Sequence, residues 1–306
     1  MFRLGCWPFT CSEMPSANVK SYLQLHLIVF IWGFTAVLGD LISIRDASLV
    51  WYRMLLAGLF LLAFLAFKRK SFVLPMREAR NLVLVGLLIA IHWIFFFRAI
   101  DVSNVSVTLA MFSTGAFFAS ILEPIFYRRK MLWYEILFGL IIVACLCLIM
   151  NVEIKYLEGM LCALFSVFMG VMFTIFNGKL IQKHDSSVIS LYEFFSGFAF
   201  VTLYLMFDGR FSSDFFHLST KDWLLLLLLS SVCTAYAFTA AVNVMKKLSP
   251  YTVMLTTNLE PVYGIFLAYL IIGDSEKMSV PFYIVSAIIL LTVIANGVVK
   301  HYVRKG

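Results

Sequence analysis

Apolar residues recur along almost the whole chain in runs of about twenty, and no long polar stretch separates them. Crossing about 30 Å of hydrocarbon takes roughly 20 residues of helix, because every backbone N–H and C=O must then be hydrogen-bonded within the segment. Runs near 22–42, 47–67, 80–100, 104–126, 132–150, 157–178, 187–207, 223–245, 251–272 and 280–299 meet that length and predict an all-α membrane protein of ten transmembrane helices. The loops alternate in basic content. Lys68, Arg69, Lys70, Arg77 and Arg80 follow the second run, and Arg128, Arg129 and Lys130 the fourth. Lys179 and Lys183 follow the sixth, Lys246 and Lys247 the eighth, and Lys300, Arg304 and Lys305 close the chain. The other loops carry Arg45, Lys155, Arg210, Lys221 and Lys277 among several acids. Loops rich in Lys and Arg stay in the cytoplasm, so both termini are expected there, in agreement with an even number of spans. The first run lacks a small-residue cleavage site, which favours an uncleaved span over a signal peptide. Residues 1–18 read as an unstructured leader, with Met14 an alternative start to Met1.

Composition narrows the function classes. Hydrophobic residues make up 62% of the 306 and charged ones 13%, about half the roughly one-quarter charged fraction of soluble domains. The net charge of +7 sits in short loops rather than along one face, and no nucleic-acid-binding motif accompanies it, so no nucleic-acid partner is expected. Four of the six cysteines, Cys145, Cys147, Cys162 and Cys233, lie within apolar runs, whereas Cys6 and Cys11 lie in the leader. Cys145 and Cys147 are two apart on a helix and point away from one another, so neither a zinc site nor a disulfide framework follows. The sequence holds no P-loop, no His-Glu-x-x-His and no Gly-x-Ser-x-Gly. No cofactor is expected, and an ion gradient is the available source for uphill work.

The chain also repeats itself. With Ser103 opposite Ser249, the segment Ser103-Asn104-Val105-Ser106-Val107-Thr108-Leu109 aligns with Ser249-Pro250-Tyr251-Thr252-Val253-Met254-Leu255. Each then continues through an apolar helix and a short charged loop into a further span. Residues 19–152 and 153–306 are thus expected to supply five spans each to one membrane domain. Because five is odd, the second copy enters the bilayer from the opposite side, giving two inverted five-helix repeats. Secondary transporters use that geometry to place a site near the midplane and switch its access.

At several short motifs the sequence resembles the EamA-type permeases of the drug/metabolite transporter superfamily. They are Ile31-Trp32-Gly33-Phe34-Thr35, Trp51-Tyr52-Arg53-Met54-Leu55-Leu56-Ala57, Leu122-Glu123-Pro124, Asn258-Leu259-Glu260-Pro261-Val262-Tyr263-Gly264, and Gly273-Asp274-Ser275-Glu276-Lys277-Met278-Ser279 before the last span. The resemblance runs from about residue 20 to 300. It implies a permease that moves a small organic metabolite or drug by alternating access, with export favoured over import. A bacterial inner (plasma) membrane is the expected location, with membrane lipid and the solute as partners. The alternative is a polytopic membrane enzyme acting on a lipid. Such an enzyme gathers polar catalytic groups at one interface, whereas this chain isolates polar groups near mid-depth. In the repeat register Glu260-Pro261 faces Thr114-Gly115, so the two Glu-Pro pairs are not equivalents.

Ionisable side chains are costly in hydrocarbon, so each invites a role. Glu260 lies about ten residues from the basic end of its run, roughly 15 Å deep at 1.5 Å per residue. Thr256, Thr257 and Asn258 precede it, and Pro261 cannot donate to the carbonyl of Thr257. A carboxyl that binds a proton or the solute fits this setting, and a glutamate that clamps a kinked helix fits it too. His92 is near mid-depth among aromatics and can both donate and accept. Trp32 and Tyr236 fall at comparable depth and are candidates to line a cavity. Asp40, Arg53 and Arg98, with Asp101, fall toward the outer side, where they suit an outer gate or, alternatively, local pairing and snorkelling. Glu193 lies in the inner third of the seventh run.

Overall fold

A computed structural model of the protein describes residues 19–128 and 133–303. The expected leader, Met14, Cys6, Cys11, Arg129, Lys130, Arg304 and Lys305 lie outside the described residues. Within them every regular element is helical. Three helices, α1 (Val19–Leu41), α2 (Asp46–Phe67) and α3 (Met76–Val102), run unbroken. The next span is divided into α4 (Val105–Phe112) and α5 (Gly115–Tyr127). After α6 (Trp133–Val152) come α7 (Leu157–Leu180) and α8 (Ser186–Phe207). A π-helical segment, Ser231–Tyr236, joins α9 (Thr220–Ser230) to α10 (Ala237–Val244). The chain then forms α11 (Pro250–Thr257), α12 (Glu260–Ile271) and α13 (Val280–Val303). Among the described residues eight stretches are long and apolar enough to cross a membrane. At the places expected for the fifth and tenth spans the apolar stretches are shorter, Leu137–Val152 and Val280–Asn296.

The divided spans begin and break at matching places. Asn104 caps α4 by accepting from the Val107 amide at 2.8 Å, and Ser249 caps α11 by accepting from the Thr252 amide at 3.2 Å, with Pro250 in the first turn where no N–H is needed. In the second half the break is explained by Pro261, whose ring cannot follow a straight helix. There the amides of Asn258 and Leu259 tighten onto the carbonyls three residues back, of Leu255 (3.3 Å) and Thr256 (3.0 Å). No proline stands at the break in the first half, yet Ser113 and Thr114 make the same tight turns to Ala110 (3.2 Å) and Met111 (3.1 Å). The Thr114 hydroxyl also donates to the Met111 carbonyl at 2.7 Å, a local bond that competes with the helical ladder.

These broken helices pack on each other across the two halves, α4 against α12 and α5 against α11, with α1 also against α12. Glycines permit the approach. A Cβ on Gly33 would lie 2.9 Å from the Cβ of Tyr263, and one on Gly264 would run into Leu109. Gly86 plays the same part between α3 and α8, where a Cβ would overlap Ser196 and come within 2.5 Å of the Glu193 carbonyl oxygen. Backbone cannot move aside as a side chain can. Gly86→Val is therefore expected to cost about 3 kcal/mol or more, the upper end for overpacking. A thermal-unfolding scan in detergent checks this, and a midpoint equal to wild type contradicts it.

The loops gather at two faces. On one, Lys70 pairs with Asp185 (2.9 Å), His184 lies 3.6 Å from Glu78, Gln182 donates to the Met245 carbonyl (3.2 Å) and Lys179 to that of Phe126 (3.0 Å). This is the basic face. Burial there works against the charge on Asp185, but the Lys70 ammonium and the Ser187 amide outweigh it and hold the carboxyl below its usual range. On the other face Asp222 accepts from the amide (2.8 Å) and hydroxyl (2.7 Å) of Ser43, while Glu276 accepts from the amides of Val105 (3.2 Å) and Ser106 (2.8 Å) at the start of α4.

Candidate solute-binding site

Where α1, α2, α3, α7, α10 and the two broken spans converge, they leave a cavity of about 90 Å³. Six aromatic side chains line it, those of Trp32, Trp93, Phe96, Phe112, Phe173 and Phe238. Six polar side chains come into this apolar space, those of Thr35, Arg53, His92, Thr174, Thr257 and Glu260.

Arg53 is held by the irregular eighth span. In the π segment the Thr234 hydroxyl donates to the carbonyl of Leu229, five residues back, at 2.7 Å, and accepts from Arg53 Nε at 2.8 Å. The guanidinium lies 3.9 Å from the centre of the Trp93 ring and 5.6 Å from that of Phe97, a cation–π arrangement. Arg53 is 2% exposed, and its Nη1 has no hydrogen-bond partner among the described residues. Glu260 opens α12 directly after the break and is 7% exposed. It lines the same cavity as Arg53, yet among the described residues no cation comes within 4.0 Å of it. The site therefore holds an arginine and a glutamate without a direct ion pair, each with capacity left for a ligand.

His92 is fastened to α7. Its Nδ1 lies 2.7 Å from the Ser166 carbonyl, and since a carbonyl only accepts, Nδ1 carries the proton and Nε2 is the remaining acceptor of the neutral ring. The Ser166 hydroxyl returns a bond to the His92 carbonyl at 2.7 Å. Gly170 leaves the space, since a Cβ there would stand 3.1 Å from the imidazole.

The remaining sequence candidates divide. Trp32 and Thr257 line the cavity; Thr256 and Asn258 do not, and their part is in the break itself. Thr256 and Thr257 donate to the carbonyls of Thr252 (3.0 Å) and Val253 (2.7 Å), and Asn258 is buried. Tyr236 is 50% exposed at the end of the π segment and does not reach the cavity. The expected outer gate is also rearranged. Arg53 is in the central cavity rather than beside Asp40. Asp40 instead lies 3.8 Å from Arg45, Arg45 lies 3.2 Å from Asp101, and Arg98 pairs with Glu158 at 3.0 Å. Asp40, Arg45, Arg98 and Asp101 border a separate, wider vestibule of about 470 Å³. A double-mutant cycle on Arg45→Ala and Asp101→Ala is expected to show coupling of about 0.2–1 kcal/mol, the range for exposed pairs. The cycle on Arg53→Ala and Asp40→Ala is expected to be additive, and strong coupling there would restore a gate built on that pair. Thr234, Trp93, Phe173 and Phe238 carry no mark in the sequence. Their runs are uniformly apolar, so nothing in the pattern tells which side of each helix faces inward.

The EamA-like transporter family matches this chain twice, over residues 19–151 and again over 157–297. The chain belongs to that family. Each matched segment contains one span divided at the matching place, α4–α5 in the first and α11–α12 in the second. A crystal structure described only as that of a protein is similar at 13% identity, covering 94% of this chain and 99% of that one with a TM-score of 0.68. At that identity the likeness extends to the fold alone. Among curated proteins none matches the chain.

Proposed function

We propose that this EamA-family protein is a secondary transporter that carries a small organic solute by alternating access around the Arg53–Glu260 cavity. In this reading ten spans form one membrane domain from two inverted five-helix repeats, 19–152 and 153–306, in a bacterial inner membrane. The basic face is cytoplasmic, as the positive-inside rule requires. The observation that carries the reading is the meeting of two interrupted helices, one from each repeat, at a cavity lined by Arg53 and Glu260 with no direct ion pair between them. Interrupted helices free backbone polar groups at mid-depth, where an intact helix offers a solute nothing to bind. Arg53 supplies a fixed positive charge and spare N–H donors, Glu260 a carboxyl that takes up either a proton or a cationic group, and the aromatic walls the apolar body. The ion pairs around Arg45, Asp101 and Arg98 border the vestibule through which solute reaches the outer side, and export is the favoured direction.

Proteoliposomes offered a panel of small organic solutes, with and without an imposed pH gradient, test the proposal. At least one solute is expected to cross chemically unchanged, faster than in protein-free vesicles and with an accumulation that responds to the gradient. Chemical conversion of lipid with no solute flux would favour the membrane-enzyme alternative.

A further inference from the structure

We propose that Glu193 and Asn177 form a proton-binding site inside the membrane domain, separate from the cavity and placed between it and the basic face. Both side chains are fully buried. Asn177 Nδ2, on α7, donates to Glu193 Oε2, on α8, at 3.4 Å. The other half of the pair is left open, because Glu193 Oε1 and Asn177 Oδ1 have no hydrogen-bond partner among the described residues. The Ser190 hydroxyl, one turn earlier on the same helix, is likewise buried without one.

Oε1 and Oδ1 are both acceptors that lack a donor, and the Ser190 hydroxyl donates to neither in this arrangement. A single proton on Oε1 supplies the donor, since the protonated carboxyl donates to Oδ1 while Oε2 keeps its bond from the amide. Acid and amide then satisfy each other. A carboxylate at the same place leaves both acceptors unpaired and a buried charge uncompensated. The helices packed on α8 bring no counter-charge to it. Arg53 on α2 bonds Thr234 through Nε and faces the cavity, His92 on α3 is fastened to Ser166, Arg77 and Arg80 are exposed at the basic end of α3, and α10 carries none, while Lys179 on α7, the helix of Asn177, donates to the Phe126 carbonyl. His184 and Lys70 beyond the helix ends are paired with Glu78 and Asp185.

The location gives the site its use. Asn177 follows the cavity residue Thr174 by three positions, one helical turn. Phe194, next to Glu193, packs on the cavity aromatics Trp93 and Phe238 with ring centres 5.8 and 5.1 Å apart. Glu193 stands seven residues after Ser186 at the start of α8, roughly 10 Å from the basic face at 1.5 Å per residue. A proton held there is a station between that face and the cavity. The station role rests on the transport reading above, whereas the binding of the proton does not.

Infrared difference spectra of the intact protein in lipid, recorded across pH, read the site without requiring any solute. In a Glu260→Gln background, a carbonyl band of a protonated carboxyl is expected that disappears in Glu193→Gln and shifts in Asn177→Leu, where the carboxyl remains but its partner is gone. The band should fall as pH rises. In proteoliposomes, Glu193→Gln with Glu260 intact is expected to lose gradient-driven accumulation of any solute that wild type carries and to keep counterflow. Absence of a Glu193-dependent band, or its loss on adding sodium at constant pH, overturns the proton site, and full gradient-driven accumulation by Glu193→Gln overturns its role as a station. If wild type moves no solute while the band is present, the transport reading fails and the proton site stands.

Discussion

Glu260→Gln is expected to abolish accumulation driven by a pH gradient while leaving solute counterflow measurable. Glutamine keeps the size and shape of the side chain at the start of α12, so the break after Thr257 and the packing of Gly264 on Leu109 are preserved. What it removes is the ability to exchange a proton for a solute group beside Arg53. Coupling is then lost while the cavity still opens and closes around solute. Wild type and variant are compared at equal incorporation, with His92→Ala as a second variant. The Ser166 bonds give His92 a packing role, so His92→Ala is expected to lower the amount of folded protein more than it alters coupling. Gradient-driven accumulation retained in full by Glu260→Gln would return this glutamate to a purely structural role.

Arg53→Leu is expected to reduce flux to the protein-free background without loss of folded protein. Arg53 is a buried cation with a spare Nη1, held by Thr234 and the Trp93 face. Replacing a buried charge by an apolar group removes its desolvation cost along with its contacts, and Thr234 keeps its own bond to Leu229. Arg53→Lys is expected to restore flux only partly, because an ammonium retains the charge but neither the planar stacking nor the Nε bond. Flux and thermal midpoint measured together separate the possibilities. A variant that unfolds and loses flux together would make Arg53 structural, and one that transports normally would remove it from the site.

Much of the fold is legible in hydropathy, since a backbone in hydrocarbon must form long apolar helices and the lysines mark the loops of one face. The repeat is legible as well, and the family match over 19–151 and 157–297 shows it. The breaks are half legible. Pro261 announces one, whereas the other, at Ser113 and Thr114, arises from a hydroxyl competing for a backbone carbonyl and leaves no mark on an apolar pattern. The π segment is illegible for a related reason. It inserts a residue into the turn and rotates the remainder of the helix by about 100°, so depth alone places Tyr236 with Trp32 when the structure turns it outward. The sequence puts Arg53 near the end of its span because its run begins at a loop on the face opposite the basic one. Seven residues along α2 from Asp46 carry it roughly 10 Å inward, far enough to join Glu260.

The central claim is that one cavity serves both faces in turn, and the reactivity of a cysteine at Thr257, in a background cleared of the other cysteines, tests it most directly. Membrane-impermeant thiol reagents are applied from either side of sealed vesicles, with the solute gradient set in each direction. The account predicts modification from both sides, with the favoured side reversing as the gradient is reversed and saturating solute protecting. Modification from a single side under every gradient, unaffected by solute, would contradict it.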